Sequence, residues 1–527
     1  MKLVISKKLS IYLILIAMVL IGAGVCLNIY YRGKYSKVYY NVGLDYKRKG
    51  NLDQALFYYN KALQLDPKYL DAYRNRGVVY ELQDKFDQAI SDYNKALQIN
   101  PRYADAYRNR SVIYGKKGDF DQAIADCDKA LEINPNYADI YYNRGNYYRD
   151  KGNLDQALSD FNKAIELNPR DAEAYSNRGV IYEKKGDFDK ALLDDNKAIE
   201  INPNFAGAYY NRGIHYRDKG DYERALLDFN KALELKPDDA KFYYNRGVIY
   251  YDMGNFDQAI SDYTNALKND PHYKSAYLNR ASAYVKKNYN DEAIADYTKV
   301  IEINSTDTAA YYGRGIAYYS KDDLDQSLSD YTKALQLKPD YAEAYYGRGL
   351  VYDKKGNTEM AVSDYTKALE INPKYADAYI ARAAAYEEQK ETSQVMSEYD
   401  KAIAIDPNNA NAYTSRGIAY GKQGEFFKAI EEFNKAIKIK PNDTYAYYNR
   451  GYAYTMLGEF ELAIKDYDKV IQIDPQRLDA VQNRAMSYFH LTIYDKTWED
   501  IHTLEKNGIF LDPDFMQMLK EVSGRDK

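Results

Sequence analysis

From Ser36 onward the chain alternates two short amphipathic patterns on a fixed period of 34 residues. In the first, Tyr stands at the fourth place of the period (Tyr39, Tyr73, Tyr107), a small residue at the eighth (Gly43, Gly77, Ser111) and Tyr again at the eleventh (Tyr46, Tyr80, Tyr114). That spacing puts all three on one face of an α-helix, helix A of each repeat. In the second, Ala at the twentieth place (Ala55, Ala89, Ala123), a mostly aromatic twenty-fourth (Tyr59, Tyr93, Phe161) and Ala at the twenty-seventh (Ala62, Ala96, Ala130) mark helix B. Gly50, Gly118 and Gly152 fall between the two, where a helix can end in a left-handed residue, and Asp53, Asp87 and Asp121 favour the positive end of the helix that follows. Proline closes each period: Pro67, Pro101 and Pro135 begin a series in steps of 34 that runs to Pro475, broken once by Ser305. The pattern predicts an all-α array of thirteen repeats over 36–477, a degenerate fourteenth over 478–511 and a C-terminal capping segment over 512–527.

The amino terminus is different in kind. After a basic segment (1–8, with Lys2, Lys7 and Lys8), the 23 residues from Leu9 to Tyr31 carry no charge. A helix of that length spans about 34 Å, slightly more than the hydrocarbon core of a bilayer. Residues 9–31 therefore read as a single-pass transmembrane anchor, with Tyr30, Tyr31, Arg32 and Lys34 at the interface and 32–35 as a linker to the repeats. The rival reading is a cleaved signal peptide, since Gly22, Ala23 and Gly24 are small, with lipidation at Cys26 ranked third. Basic residues on the two sides nearly balance. A short basic head on a first hydrophobic segment usually stays cytoplasmic, which places the repeats on the exported side.

Composition narrows the function classes. With 73 basic and 78 acidic residues the net charge is -5, so no global positive field gathers nucleic acid. Two cysteines and four scattered histidines supply neither a disulfide framework nor a metal-ligand set, and no metal or other cofactor is expected. No phosphate-binding glycine loop, HExxH, CxxC or nucleophile elbow occurs, so no catalytic residue is assigned and no small-molecule substrate is expected. Tyrosine, at 61 residues, is the anomaly, and a repeated structural use explains it. Cys127, in the aromatic slot of helix B, reads as a small buried hydrophobe. His215 reads as a core or groove residue, Trp498 as core, and Phe515 to Val522 as a capping helix.

At these residues the chain resembles the tetratricopeptide repeat family, whose 34-residue aromatic, Gly-aromatic, Ala, aromatic, Pro pattern it matches over about 85% of its length, with Tyr where the family often has Trp. The resemblance implies antiparallel helix pairs stacked as a right-handed solenoid, with the A helices lining a concave surface. Each unit then buries its apolar face only against its neighbours.

One place departs from that pattern. The seventh, often Leu in the family, is Val42 once and then Arg76, Arg110, Arg144, Arg178, Arg212, Arg246 and onward to Arg484. The twenty-third place answers with Asp92, Asp126, Asp160, Asp194, Asp228, Asp262 and their successors. In the first repeat both partners are absent together, Val42 facing Tyr58. Structural ion pairs within each repeat, such as Arg76 with Asp92 and Arg246 with Asp262, are the expectation.

Asparagine recurs at the sixth place as Asn75, Asn109, Asn143, Asn177, Asn211, Asn245 and Asn279, broken later by Gly313, Gly347, Ala381 and Ser415. An amide offers donors and an acceptor together, so a column of them can hold the backbone of an extended peptide. The row resembles the asparagine ladder in the superhelix of O-linked N-acetylglucosamine transferases. The 50 residues after the repeats are too few for a transferase domain, so only the binding half carries over. The alternative is that each Asn bonds between helices. On the ladder reading, Asn177, Asn211 and Asn245 replaced together by Ala would weaken ligand and leave the melting temperature nearly unchanged. The resemblance also turns the fifth and twelfth places to the groove, adding Tyr142, Tyr210, Tyr244, Tyr251, Tyr312, Tyr319 and Tyr346 as peptide-binding candidates. Together these features describe a membrane-anchored, non-catalytic scaffold for peptide segments or partner proteins. A self-assembling structural protein and an accessory subunit of a separate enzyme stand as alternatives.

Overall fold

The computed structural model describes residues 7–389 and 392–525, without the side chains of most residues before Tyr30 or those of Thr392 and Ser393. Among the described residues there are 29 helices and no strand. They form two compact units, Met1–Asp270 and Pro271–Lys527, which meet in sequence at the turn that ends the seventh repeat.

Each repeat is a helix pair, such as helix A Leu70–Leu82 and helix B Phe86–Ile99 in the second. The turn between them closes in the left-handed region, as at Gly118 with φ +78°. Asp84, Asn288, Asp322 and Thr492 hold the equivalent place in other repeats, the first three being residue types that tolerate it. Several B helices are capped by a side chain that accepts a free N–H of the first turn: Asn51 from Gln54, Asp119 from Gln122 and Asp187 from Lys190.

Close approach of the helices explains the alanines and glycines. Ala89 and Ala96 are fully buried on either side of Tyr93, itself fully buried. A Cβ on Gly77 would stand 2.6 Å from the Tyr93 ring, so the small eighth place is dictated by the aromatic ring of helix B. Burying such a ring contributes roughly 1.5–3 kcal/mol. Cys127 takes the ring's place in the third repeat and is fully buried, as expected.

The ends differ from the middle. The helix Lys7–Arg48 runs for 42 residues and becomes helix A of the first repeat without interruption. The linker expected at 32–35 is therefore helical. No proline interrupts it, and one Gly, Gly33, costs only about 1 kcal/mol relative to Ala. Most side chains of the expected anchor, 9–31, lie outside the described residues; among those described, no helix is long and apolar enough to cross a membrane. At the other end Pro513–Ser523 forms a helix whose Leu519 packs with Trp498 and Ile501, and the Trp498 indole donates to Ser523 at 3.2 Å. The last repeat's apolar face is thereby covered.

Candidate functional site

The seventh-place arginines come first, because they decide what is left for a ligand. Arg76 donates through Nε and Nη2 to the two carboxylate oxygens of Asp92 at 2.7 and 2.6 Å, and Arg246 does the same to Asp262 at 2.7 and 2.6 Å. This is the forked pair expected within a repeat. Sequence reasoning missed a third leg. Nη1 of Arg76 donates to Asn60 Oδ1 at 2.5 Å and Nη1 of Arg246 to Asn230 Oδ1 at 2.6 Å, both at the twenty-fifth place of the preceding helix B. Each arginine therefore bonds three helices, and its guanidinium also faces the fourth-place ring, Tyr73 at 5.5 Å for Arg76. Burial lifts the Asp92 carboxyl above the usual carboxylate range despite Arg76. Burial also opposes the Arg76 charge, but bonding to Asp92 outweighs it and holds that pKa up.

The second unit repeats the fork, with threonine as the third acceptor in repeats nine to eleven and asparagine again for Arg450. Arg314 bonds Asp330 at 2.8 and 2.9 Å and Thr298 Oγ1 at 2.9 Å, while Arg348 reaches Thr332 only at 3.4 Å.

All the candidate asparagines and tyrosines lie on A helices. Asn75 and Asn245 are buried, and the rest are half-buried. Within the first unit, much of their capacity is spent between repeats. Asn75 donates to the Tyr40 hydroxyl at 3.0 Å and to the Asp71 carbonyl at 2.9 Å, and accepts from Lys47 at 2.9 Å. Asn245 donates to Tyr210 at 3.0 Å and accepts from Arg217 at 3.0 Å. Asn177 donates to Tyr142 at 3.0 Å and accepts from Arg149 at 2.8 Å, and Asn211 donates to Ser176 at 2.9 Å. The sequence signal for this was the hydroxyl at the fifth place one repeat earlier. Asn143 makes no side-chain hydrogen bond among the described residues, and Asn109 only accepts from Arg108 at 3.4 Å. Charges on this face also link repeats, Arg74 to Asp105 at 2.7 Å and Arg108 to Asp139 at 3.2 Å.

Within the second unit, repeats nine to twelve leave the same face less engaged, and the pairing returns at Asn483, which donates to the Tyr448 hydroxyl at 3.0 Å. Asn279 lies on helix A of the eighth repeat, and the next four repeats carry Gly313, Gly347, Ala381 and Ser415 at the sixth place. The Tyr312 ring packs on Tyr331 and Tyr341 with centroids 5.9 and 5.0 Å away, and Tyr346 on Tyr365 and Tyr375 at 6.0 and 5.0 Å. The Lys354 ammonium lies 5.2 Å from the Tyr319 ring. The hydroxyls of Tyr312, Tyr319 and Tyr346 have no hydrogen-bond partner among the described residues. In the first unit Tyr244 packs on Tyr263 at 5.9 Å and Tyr251 on Phe256 at 5.3 Å.

His215 is not isolated, as its sequence neighbourhood suggested. Fully buried at the tenth place of the sixth repeat, its Nδ1 lies 2.7 Å from Asp195, itself fully buried in the aromatic slot of the preceding helix B. Its Nε2 lies 3.5 Å from Glu183. The Ser176 hydroxyl donates to the other Asp195 oxygen at 3.3 Å. Burial alone would lower the imidazole pKa, but Asp195 and then Glu183 carry it up to about 9, while burial lifts the Asp195 carboxyl to about 6. The signal was Asp195 standing where neighbours have Phe161 and Phe229. A group this buried holds repeats together and is out of reach of a substrate. Among the described residues no cluster of three or more His, Cys, Asp or Glu is placed to hold a metal ion.

Comparison with known proteins agrees with the period. Models described as "Tetratricopeptide repeat" match 36–69, 70–103, 104–137, 172–205, 240–273, 342–375 and 444–477, and a second set 127–159, 196–226 and 364–395. One described as "TPR repeat" matches 145–186, 215–254, 281–322, 317–356, 396–424 and 422–458. Among solved structures, the APC/C hetero-tetramer Cut9-Hcn1 is 14% identical over 95% of this chain and 98% of that one, with a TM-score of 0.41. Yeast Tom70 is 19% identical over 74% and 96%, with a TM-score of 0.35. YrrB, described as a TPR protein with an unusual peptide-binding site, is 28% identical over 34% and 93%, with a TM-score of 0.30. No curated protein matches the chain.

Proposed function

We propose, on the premise that the chain belongs to the tetratricopeptide repeat family, that it is a scaffold holding peptide segments or partner proteins on its helix A face, beside a membrane in which Leu9–Tyr31 anchors it. Repeats of this family typically serve protein–protein interaction, and this reading assigns the chain no chemistry of its own. The observation that carries it is the unengaged row of the second unit. The half-buried rings of Tyr312, Tyr319 and Tyr346 are held by their neighbours while their hydroxyls bond nothing among the described residues. A fixed ring with a free hydroxyl offers apolar area and one hydrogen bond at little entropic cost, which suits a peptide surface. In the first unit Asn143 and the amide nitrogen of Asn109 remain for a backbone, while the other amides serve the fold. The uncharged stretch 9–31 supports the anchor, and its basic head supports export of the repeats.

A photoreactive benzoylphenylalanine at Tyr319, compared with one at Leu193, tests the surface. Leu193 is 68% exposed on a helix B. Irradiation in native membranes should give protein adducts from position 319 and not from 193; adducts from 193 alone would overturn the reading. In the same membranes the chain should resist alkaline carbonate extraction, and deletion of 9–31 should release it.

A further inference from the structure

Repeats three and twelve carry the same pair of features with opposite outcomes. Gly115 and Gly421 both stand at the twelfth place of helix A, and Phe120 and Phe426 both open the helix B that follows. In repeat three the space over that glycine is filled. Tyr147, from the tenth place of the next helix A, lays its ring so close to Gly115 that a Cβ there would collide, and it stacks on Phe120 with centroids 6.3 Å apart. In repeat twelve the tenth place of the next helix A is Ala453, and a Cβ added to Gly421 would meet nothing within 4 Å. A cavity of about 460 Å³ remains, lined by Gly421, Phe426, Phe433, Tyr452 and Met456 among others. The thirteenth repeat shows another way to cover that ring, His490 stacking on Phe460 with centroids 4.6 Å apart. At Phe426 the residue matching His490 is Met456, 51% exposed.

We propose that this cavity takes one aromatic side chain, Phe or Tyr, from a bound peptide segment, the ring lying over Gly421 and Phe426 as Tyr147 lies over Gly115 and Phe120. The proposal rests on the helix A face being a peptide surface and names what that surface selects in repeats twelve and thirteen. Cys127 in repeat three lets Tyr147 sink toward helix B, whereas Phe433 floors the later cavity, so the guest ring sits on Phe433 and enters from the open side. The thioether of Met456 and the ring of Tyr452, 48% exposed, supply sulfur and aromatic contacts at the rim. Lys422 on the same wall is paired with Glu387 at 2.6 Å, so the rim does not call for a charged guest. Asn449, whose amide nitrogen donates to the Tyr445 carbonyl at 2.8 Å, has an oxygen free of donors among the described residues and able to accept from the guest's backbone.

The test uses the full-length chain in lipid nanodiscs, with empty discs as blank, and N-acetyl-4-fluoro-L-phenylalaninamide as probe. Its ¹⁹F line should broaden saturably. N-acetyl-L-leucinamide should compete at least about threefold less well than N-acetyl-L-phenylalaninamide. Ala453→Tyr, which supplies the ring that repeat four already carries, should cut the broadening at least about fivefold with no loss of melting temperature. If that variant melts early, Gly421→Leu fills the same space from the opposite wall and should give the same cut. Unchanged broadening in the folded variant, or equal competition by the leucine amide, would overturn the proposal. Photoadducts from Tyr319 in the Ala453→Tyr chain separate the two readings. Their persistence alongside a failed probe experiment leaves the surface standing without this pocket, and their absence from the unsubstituted chain removes the surface itself.

Discussion

The two units are built on one armature and differ in what they leave unspent. Both hang on the arginine fork, yet residues 36–270 bind most of their sixth-place amides and several helix A charges to each other, while residues 271–525 put Gly, Ala or Ser at the sixth place in four successive repeats. Asn75 shows the first pattern, with its amide nitrogen and oxygen both engaged; Tyr312, with packed ring and free hydroxyl, shows the second. The lesson is that in a repeat array the same place can be spent on its neighbours in one stretch and left free in another. Which it does follows from whether the neighbouring repeat supplies the matching hydroxyl or cation.

The largest test breaks the shared armature. Arg246→Leu should cost roughly 3–5 kcal/mol by stranding the buried Asp262, and adding Asp262→Tyr should return most but not all of it, because Asn230 also loses its donor. Arg348→Leu with Asp364→Tyr in the second unit should be restored more fully, since its third leg to Thr332 is already long at 3.4 Å. Denaturant melts of the four variants decide this, and a double variant less stable than its single would refute the pairing.

Next in size is a pH dependence confined to the first unit. The folded pKa of His215, about 9, lies above its ordinary 6.5, so its contribution is complete below pH 6.5 and is lost as pH rises through 9. Asp195, raised to about 6 from 3.8, loses its share earlier in the same direction. Against Asp195→Phe/His215→Ile, which restores what neighbouring repeats carry, the unsubstituted chain should lose on the order of 3 kcal/mol of local stability between pH 6 and pH 9.5. Amide exchange in repeats five and six measures it, with repeats nine and ten as the unaffected control.

Smaller again, Asn177→Ala/Asn211→Ala/Asn245→Ala should lower stability by about 2–3 kcal/mol, since each amide holds bonds worth about 1 kcal/mol. This is the outcome expected where each Asn bonds between helices, the alternative to the ladder reading, on which the melting temperature stays nearly unchanged. Tyr312→Phe/Tyr319→Phe/Tyr346→Phe should leave stability within about 0.5 kcal/mol while weakening partner adducts at the helix A face. Equal destabilisation by both triples would erase the distinction between the units.

The helix pairs were legible because Pro, Ala and Tyr recur on one period, and helix-breaking and close packing demand those residue types wherever they fall. The fork's own carboxylate was legible through a joint absence, Val42 with Tyr58. Its third leg was not, because Asn, Asp and Thr at the twenty-fifth place look like ordinary exposed helix residues until the next repeat is laid beside them. The asparagine row leaves two uses open in the sequence, and the bonds that Asn75, Asn177, Asn211 and Asn245 make depend on which hydroxyl lies one repeat back. The continuity of Lys7–Arg48 was hidden by a change of composition at Arg32 that is not a change of backbone.

The reach of each guanidinium, sixteen residues forward to its own carboxylate and sixteen back to the preceding acceptor, has a consequence for how such a chain can change in length. Excising or duplicating a whole 34-residue cassette after the first repeat leaves every surviving arginine with a carboxylate ahead and an acceptor behind, whereas a change of length within a helix shifts one of those bonds out of register; the first repeat, which supplies Asn60 to Arg76, cannot be removed without orphaning that arginine. The array can therefore lengthen by copying whole repeats without losing a bond, a rule written into bond geometry rather than into any particular partner.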